Sequence, residues 1–375
     1  MMTPLDPTHL ARREVRDLES YNAGLASEEV RRRFGVTQIT RLGSNENPLG
    51  PSPRVVPAIA AAASESGLYP DAECSVLREA LATRLAVAPG RLVFGNGSED
   101  LIAILCRVFL DHGDTLVTVT PAFGLHTLYP QSLGARIHGV PMLAGGRFDI
   151  DGLVAVLAEP PRMLMFSSPS NPVGSALTWE ALERLLEVLT PATLLVFDEA
   201  YFEYAKASPG YPDLLARLER QKSPWIVLRT FSKAYALAGL RIGYGIVGDP
   251  ALADLIDRLR TPFNVNRLAQ AAAVAALEDE AHLAAGIALA TQERERVTQA
   301  LDAMGLSVAP SLANFVFFET PLASSALHEA LLAQGVIVKA WRTPGYTRWL
   351  RVSIGSREEN DLFLVALSAA LADSR

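Results

Sequence analysis

Cysteine is almost missing: the 375 residues hold only Cys74 and Cys106, far apart and without metal-ligand spacing. That excludes a disulfide-stapled scaffold and suits a reducing compartment. Both fall in helical patterns and read as small buried hydrophobes. Histidine is also scarce. The six (His9, His112, His126, His138, His282, His328) are scattered without ligand spacing, so no metal site is expected. No apolar stretch approaches the ~20 residues of a spanning helix. The amino terminus carries Arg12, Arg13 and Glu14 and lacks the apolar core of a signal peptide. A cytoplasmic protein without membrane association is expected. Nor is there excess positive charge. The formal net charge is -7, which gives no electrostatic reason to propose nucleic acid or an anionic membrane as partner. The Arg31-Arg32-Arg33 run lies beside Glu28 and Glu29 on a helical stretch and reads as a solvated face.

What the chain does have is strand and helix in alternation. β-rich runs occur at Leu92–Gly95, Thr115–Val119, Arg136–Val140, Met163–Phe166, Thr193–Phe197, Trp225–Leu228 and Gly243–Val247. Helical patterns such as Ser98–Leu110 and Thr178–Leu189 separate most of them. The alternation predicts an α/β fold with a mostly parallel sheet flanked by helices. The length also allows a second, smaller domain. After Pro250 the texture changes to an Ala-rich helical region from about Asn266 to Met304. Strand candidates Asn314–Glu319, Gly335–Lys339 and Trp349–Ile354 follow, around the helix Ser324–Gln334, and read as an α+β domain. The expected division is 41–260 for the large domain, with 1–40 and 261–375 forming the small one.

Chemistry gathers just beyond three predicted strands, where open α/β sheets bind ligands. After Trp225–Leu228 come Thr230, Ser232, Lys233 and Arg241, among small residues. The hydroxyls and the planar guanidinium can grip a phosphate, and the lysine can hold an aldehyde cofactor as a Schiff base. The plainer alternative is a solvated lysine at a helix start. Thr193–Phe197 ends in Asp198, either a turn former or the carboxylate that a pyridoxal phosphate ring requires opposite its pyridine nitrogen. Asn171 follows Met163–Phe166 in a turn rich in proline, either as a plain turn residue or as a donor to a cofactor oxygen.

Taken with Leu42–Pro53, Tyr69-Pro70-Asp71, Gly95–Asp100 and Leu350–Gly355, these segments give a chain that resembles the fold-type I pyridoxal-phosphate aminotransferases. Within them it most resembles the histidinol-phosphate aminotransferase family, with the motifs in order over nearly the whole length. The resemblance implies a seven-stranded large-domain sheet, pyridoxal 5'-phosphate as cofactor, and a homodimer with shared active sites. Gly97, Ser98 and Glu99, opening a helix whose free amides suit a phosphate, belong to the implied cofactor site. So do Phe123, stacking on the ring, and Tyr201, sharing the ring's phenolate oxygen with Asn171. Tyr69 is the residue implied to reach the partner's cofactor phosphate. Lys233, with Asp198 and Tyr201, forms the implied catalytic group, the lysine moving the proton between substrate and cofactor.

For substrate, the resemblance implies a small amino donor and a 2-oxo acid, histidinol phosphate with 2-oxoglutarate. Arg351 is the implied anion grip, Tyr21 touches the substrate phosphate, and Asn171 lies nearby. Lys339 stands where the family usually has a second arginine, which keeps the charge and loses the planar fork. Arg342 or Arg348 stands ready to compensate. Two alternatives share the fold and cofactor: an aromatic amino acid (phenylalanine/tyrosine) aminotransferase, and a threonine-phosphate decarboxylase.

Overall fold

The computed structural model describes residues 6–372, so the first five and last three residues of the expected small domain lie outside the described residues. Strands run in chain order as Thr40–Arg41 (β1), Leu92–Gly95 (β2), Thr115–Thr120 (β3), Arg136–Pro141 (β4), Met163–Ser167 (β5), Leu194–Asp198 (β6), Trp225–Thr230 (β7) and Gly243–Val247 (β8). They continue as Ser307–Val308 (β9), Phe315–Glu319 (β10), Val336–Ile337 (β11), Lys339–Ala340 (β12) and Trp349–Ser353 (β13).

Seven of these strands form the large sheet, in the order β2-β8-β7-β6-β5-β3-β4. All neighbours are parallel except β8, which is antiparallel to both β2 and β7. The strands β5 to β8 are buried along their whole length. Helices cover both faces, and that is why these strands read as unbroken apolar runs and not as alternating ones. Edge strand β4 exposes part of its length instead. One core contains Phe94, Val119, Phe166, Phe197 and Val227. On the other face lie Val93, Met165, Val196 and Leu228, the alternate residues of the same strands, with Leu105 of the helix Ser98–Phe109 packed on them.

A second sheet, β12-β13-β10-β9, is antiparallel throughout. Its apolar face packs with Leu301, Leu331, Phe363 and Leu367 in a separate core. The expected strand Gly335–Lys339 divides between two sheets. β11 pairs in parallel with β1, while β12 pairs with β13. Gly335 must stay bare here, because a Cβ would lie 2.3 Å from the Gln38 carbonyl oxygen, at φ +77.

The Ala-rich region is two helices, Arg267–Leu277 and Glu280–Ala303. Asp279 breaks it, its carboxylate accepting the His282 N–H as a cap. The first helix buries Ala269, Ala272, Ala273 and Ala276 in the large-sheet core, with small side chains allowing close approach to the helix Val55–Ala63. It therefore sits with the large sheet, although the sequence division put it beyond residue 260. Cys74 is buried and precedes the helix Ser75–Leu85 instead of lying within it. Arg31, Arg32 and Arg33 pair with Glu28, Glu29 and Glu329 at the surface. No helix among the described residues is long and apolar enough to cross a membrane.

Candidate active site

Register decides where the functional side chains meet. Ser167 at the end of β5 pairs with Asp198 at the end of β6, which pairs with Leu228 of β7. Three carboxyl ends thus open onto one cavity of about 970 Å³. Asn171, Asp198, Tyr201, Thr230, Ser232, Lys233 and Arg241 all line it, and so do Ser98, Glu99 and Phe123 from beyond β2 and β3. Lys339 and Arg351 enter from the second sheet, and Tyr21 from the amino-terminal segment.

Lys233 is half-buried and its Nζ donates to the Ser44 carbonyl oxygen at 2.8 Å. Loss of water, followed by the nearby positive charge of Arg351, pushes its pKa down to about 8. Asp198 is buried, and its two oxygens have separate partners. Oδ1 accepts the Ala200 N–H at 3.0 Å, and Oδ2 lies 3.1 Å from His126 Nε2. Below it, Glu199 accepts two hydrogen bonds from Arg229, at 2.9 and 2.7 Å, and one from Tyr211 at 2.9 Å. That buried pair joins the end of β6 to β7.

Arg351 is buried on β13. Nη1 donates to Asn171 Oδ1 at 2.5 Å and Nη2 to the Gly43 carbonyl oxygen at 2.7 Å, while the buried Nε has no partner. A buried orphan donor is costly, so it marks where an anion would be held. The bond engages Asn171 through its Oδ1, and Asn171 itself lines the cavity. Tyr201, buried against Phe315, has its pKa pushed up to about 12 by burial.

At the opposite end, Gly97 precedes the helix Ser98–Phe109 with φ +84. A Cβ on Gly97 would lie 2.5 Å from Arg241 Nη2, and one on Gly243 would lie 2.3 Å from Ser98 N. The two glycines keep a helix amino terminus and a guanidinium uncovered together, a cradle for an anion. Glu99 contributes its place in the helix start, whereas its carboxylate lies 3.5 Å from Arg241 and accepts from Tyr129. Thr230 shapes the turn more than it offers a free donor, since its hydroxyl donates to the Ile242 carbonyl oxygen and accepts the Ser232 N–H.

Phe123 lies edge-on to both His126 and Tyr21. Burial raises the Tyr21 pKa. Lys339 donates to the Asn22 carbonyl oxygen, and burial with the charges of Arg351 and Arg342 pushes its pKa down to about 8. Arg342 lines the cavity. Arg348 does not, being paired with Glu319. Tyr69 is absent from the cavity of its own chain: it stacks on Phe263 at 4.6 Å and is 78% exposed.

Sequence reasoning missed two residues. His126, one of six histidines without ligand spacing, is buried and bonded to Asp198. Asn45, in a segment noted only for resemblance, bonds Tyr201. Neither has a local signal beyond its residue type.

Residues 37–367 match the family model for aminotransferase class I and II. The chain is 48% identical over 362 residues to histidinol-phosphate aminotransferase 1 of Mesorhizobium japonicum, covering 96% of this chain and 98% of that one. It is 48% identical over 364 residues to histidinol-phosphate aminotransferase 3 of Rhizobium meliloti, covering 96% and 97%. Among solved structures, it is similar to the histidinol-phosphate aminotransferase from Sinorhizobium meliloti in complex with pyridoxal-5'-phosphate. There the TM-score is 0.89 and the identity 30%, over 97% of this chain and 98% of that one.

Proposed function

The chain belongs to the class I and II aminotransferases and is a pyridoxal-phosphate-dependent transaminase, and from that premise we propose that it exchanges an amino group between histidinol phosphate and 2-oxoglutarate. The residues present fit the cofactor. The cradle of Gly97, Ser98, Arg241 and Gly243 suits its phosphate, Asp198 its pyridine nitrogen, and Asn171 with Tyr201 its ring oxygen. Phe123 supplies the aromatic face and Lys233 the amine. When bound, pyridoxal phosphate supplies a protonated ring that takes up the electron pair left on the substrate carbon.

The chain's own groups do the rest. Asp198, fixed by His126 and the Ala200 amide, holds a negative charge on the ring-nitrogen side. Lys233, whose pKa burial pushes down to about 8, would act as the base that takes the proton from the substrate α-carbon and then as the acid that gives it back. The unpartnered Arg351 Nε and the second hydrogens of its Nη atoms grip a substrate anion.

One observation carries the substrate reading: Lys339, Arg342 and Arg351 line one cavity with Tyr21, three cations in a wall that also holds Glu14, Asp17, Glu19 and Glu46. A dianionic phosphate monoester suits the three cations. The aromatic alternative has its own support in Phe123, Tyr21 and Trp341, which line the same space. Initial rates with histidinol phosphate and with phenylalanine, each with 2-oxoglutarate as acceptor, separate the two. A clear preference for phenylalanine overturns the first.

A homodimer with shared sites is supported by Tyr69, exposed with Leu68 and Val76 away from its own cavity. Sedimentation of the purified protein tests it, and a monomer at working concentration refutes it. A cytoplasmic location and a small domain of residues 1–40 with those from Glu280 onward complete the proposal.

A further inference from the structure

The segment Leu42–Asn47 joins the two sheets, and its Gly43, Ser44, Asn45 and Glu46 line the cavity. Gly43 accepts from Arg351 and Ser44 from Lys233, while Asn47 Nδ2 donates to the Ala234 carbonyl oxygen at 2.9 Å. Asn45, at the centre, is buried and has φ +57. It bonds across both sheets at once. Its backbone N–H donates to Ser353 Oγ at 2.7 Å, and the Ser353 hydroxyl donates back to Asn45 Oδ1 at 2.9 Å. That leaves Nδ2, which donates to the Tyr201 hydroxyl oxygen at 2.8 Å. Asn314 Nδ2 holds the Asn45 carbonyl oxygen at 3.0 Å.

The direction of these bonds matters. With Ser353 accepting from the backbone, its hydrogen goes to Oδ1, so the amide presents its NH2 end to Tyr201. The reverse orientation would use both Ser353 lone pairs on Asn45 donors and turn the Tyr201 hydrogen into the protein. As arranged, the Tyr201 oxygen receives a hydrogen from Asn45 and its own hydrogen is left for a partner in the cavity. Ser353 lies two residues beyond Arg351 on β13, so the same chain of bonds ties this donor to the strand carrying the substrate grip.

We propose that Asn45 is a positioning residue, which makes Tyr201 a hydrogen donor into the cavity and, through Ser353, links that donor to the strand of Arg351. The inference rests on the reading that the cavity holds pyridoxal phosphate. Donation by Tyr201 to the cofactor's ring oxygen stabilises negative charge there and lowers the proton affinity of the Lys233 nitrogen joined to it. Removing Asn45 weakens that donation.

The test is a pH titration of visible absorbance in the holoenzyme. Glycine accepts a positive φ without strain, so Asn45→Gly removes the amide while keeping the backbone path. Its absorbance midpoint should rise by about 0.5 to 1 unit, the equivalent of one neutral hydrogen bond. Asn45→Asp, whose carboxylate accepts the Tyr201 hydrogen, should rise as far as Tyr201→Phe. Ser353→Ala should move the midpoint the same way, by less. In the double variant Asn45→Gly/Tyr201→Phe, the midpoint should match that of Tyr201→Phe alone, since a purely structural effect would add to it. An unmoved midpoint in Asn45→Gly and Asn45→Asp, or full additivity in the double variant, overturns the role of Asn45. Parental protein that shows no visible band with pyridoxal phosphate defeats the cofactor reading instead, and the two failures are distinguishable.

Discussion

Replacing Lys233 by methionine should make the cofactor-free protein more stable, although it removes the residue that chemistry needs. The folded chain holds the lysine's proton weakly, with the pKa lowered from 10.5 to about 8 by desolvation and by Arg351. The unfolded chain binds that proton normally. Unfolding therefore takes up a proton between pH 8 and 10.5, and stability rises with pH across that window. Below pH 8 the whole penalty applies. A fall of this size corresponds to roughly 3 kcal/mol, reduced to about 2 because the side chain is only half-buried and partly screened. Methionine also abandons the bond to the Ser44 carbonyl oxygen, which costs about 1 kcal/mol. The net gain is about 1 kcal/mol at pH 6.5 and is gone by pH 10, where the lost bond outweighs what is left of the penalty. Urea midpoints of parental and Lys233→Met protein, compared at one concentration at both pH values, measure it. A variant less stable at pH 6.5, or a difference indifferent to pH, refutes the reasoning.

Three further outcomes are expected. Gly243→Ala places a Cβ against the Ser98 amide and should weaken pyridoxal phosphate binding by at least about tenfold, some 1.4 kcal/mol; an unchanged Kd by equilibrium dialysis would remove the cradle from the site. His126→Phe deprives Asp198 Oδ2 of its side-chain partner. Loss of a hydrogen bond to a charged group, about 1.5–3 kcal/mol, should lower kcat about ten- to a hundredfold, with His126→Gln retaining part of the rate, and parental kcat in His126→Phe counts against the positioning. Lys339→Arg restores a planar fork beside Arg342 and Arg351 and should lower KM for histidinol phosphate severalfold while leaving phenylalanine unaffected; equal effects on both would place Lys339 away from the phosphate.

The large sheet was legible because its strands are covered on both faces. Met163–Ser167 and Leu194–Asp198 are buried throughout, so local composition alone marks them. The direction of Gly243–Val247 was not legible, since an antiparallel strand buried on both faces has the same apolar composition as its parallel neighbours. The helix Arg267–Leu277 was assigned by its position after Pro250, but its alanine face packs against the helix Val55–Ala63, a partner more than 200 positions away.

The site divides in the same way. Lys233, Asp198 and Asn171 follow strand ends, and the sheet brings strand ends together without further instruction. His126 and Asn45 act by bonding another functional residue, 72 and 156 positions distant. Such a residue needs only the right donor at the right place, which one histidine or asparagine supplies without any surrounding pattern. Residues that face the ligand share constraints of fold and chemistry that repeat along the chain. Residues that hold them do not, and only the register of the folded sheets identifies them.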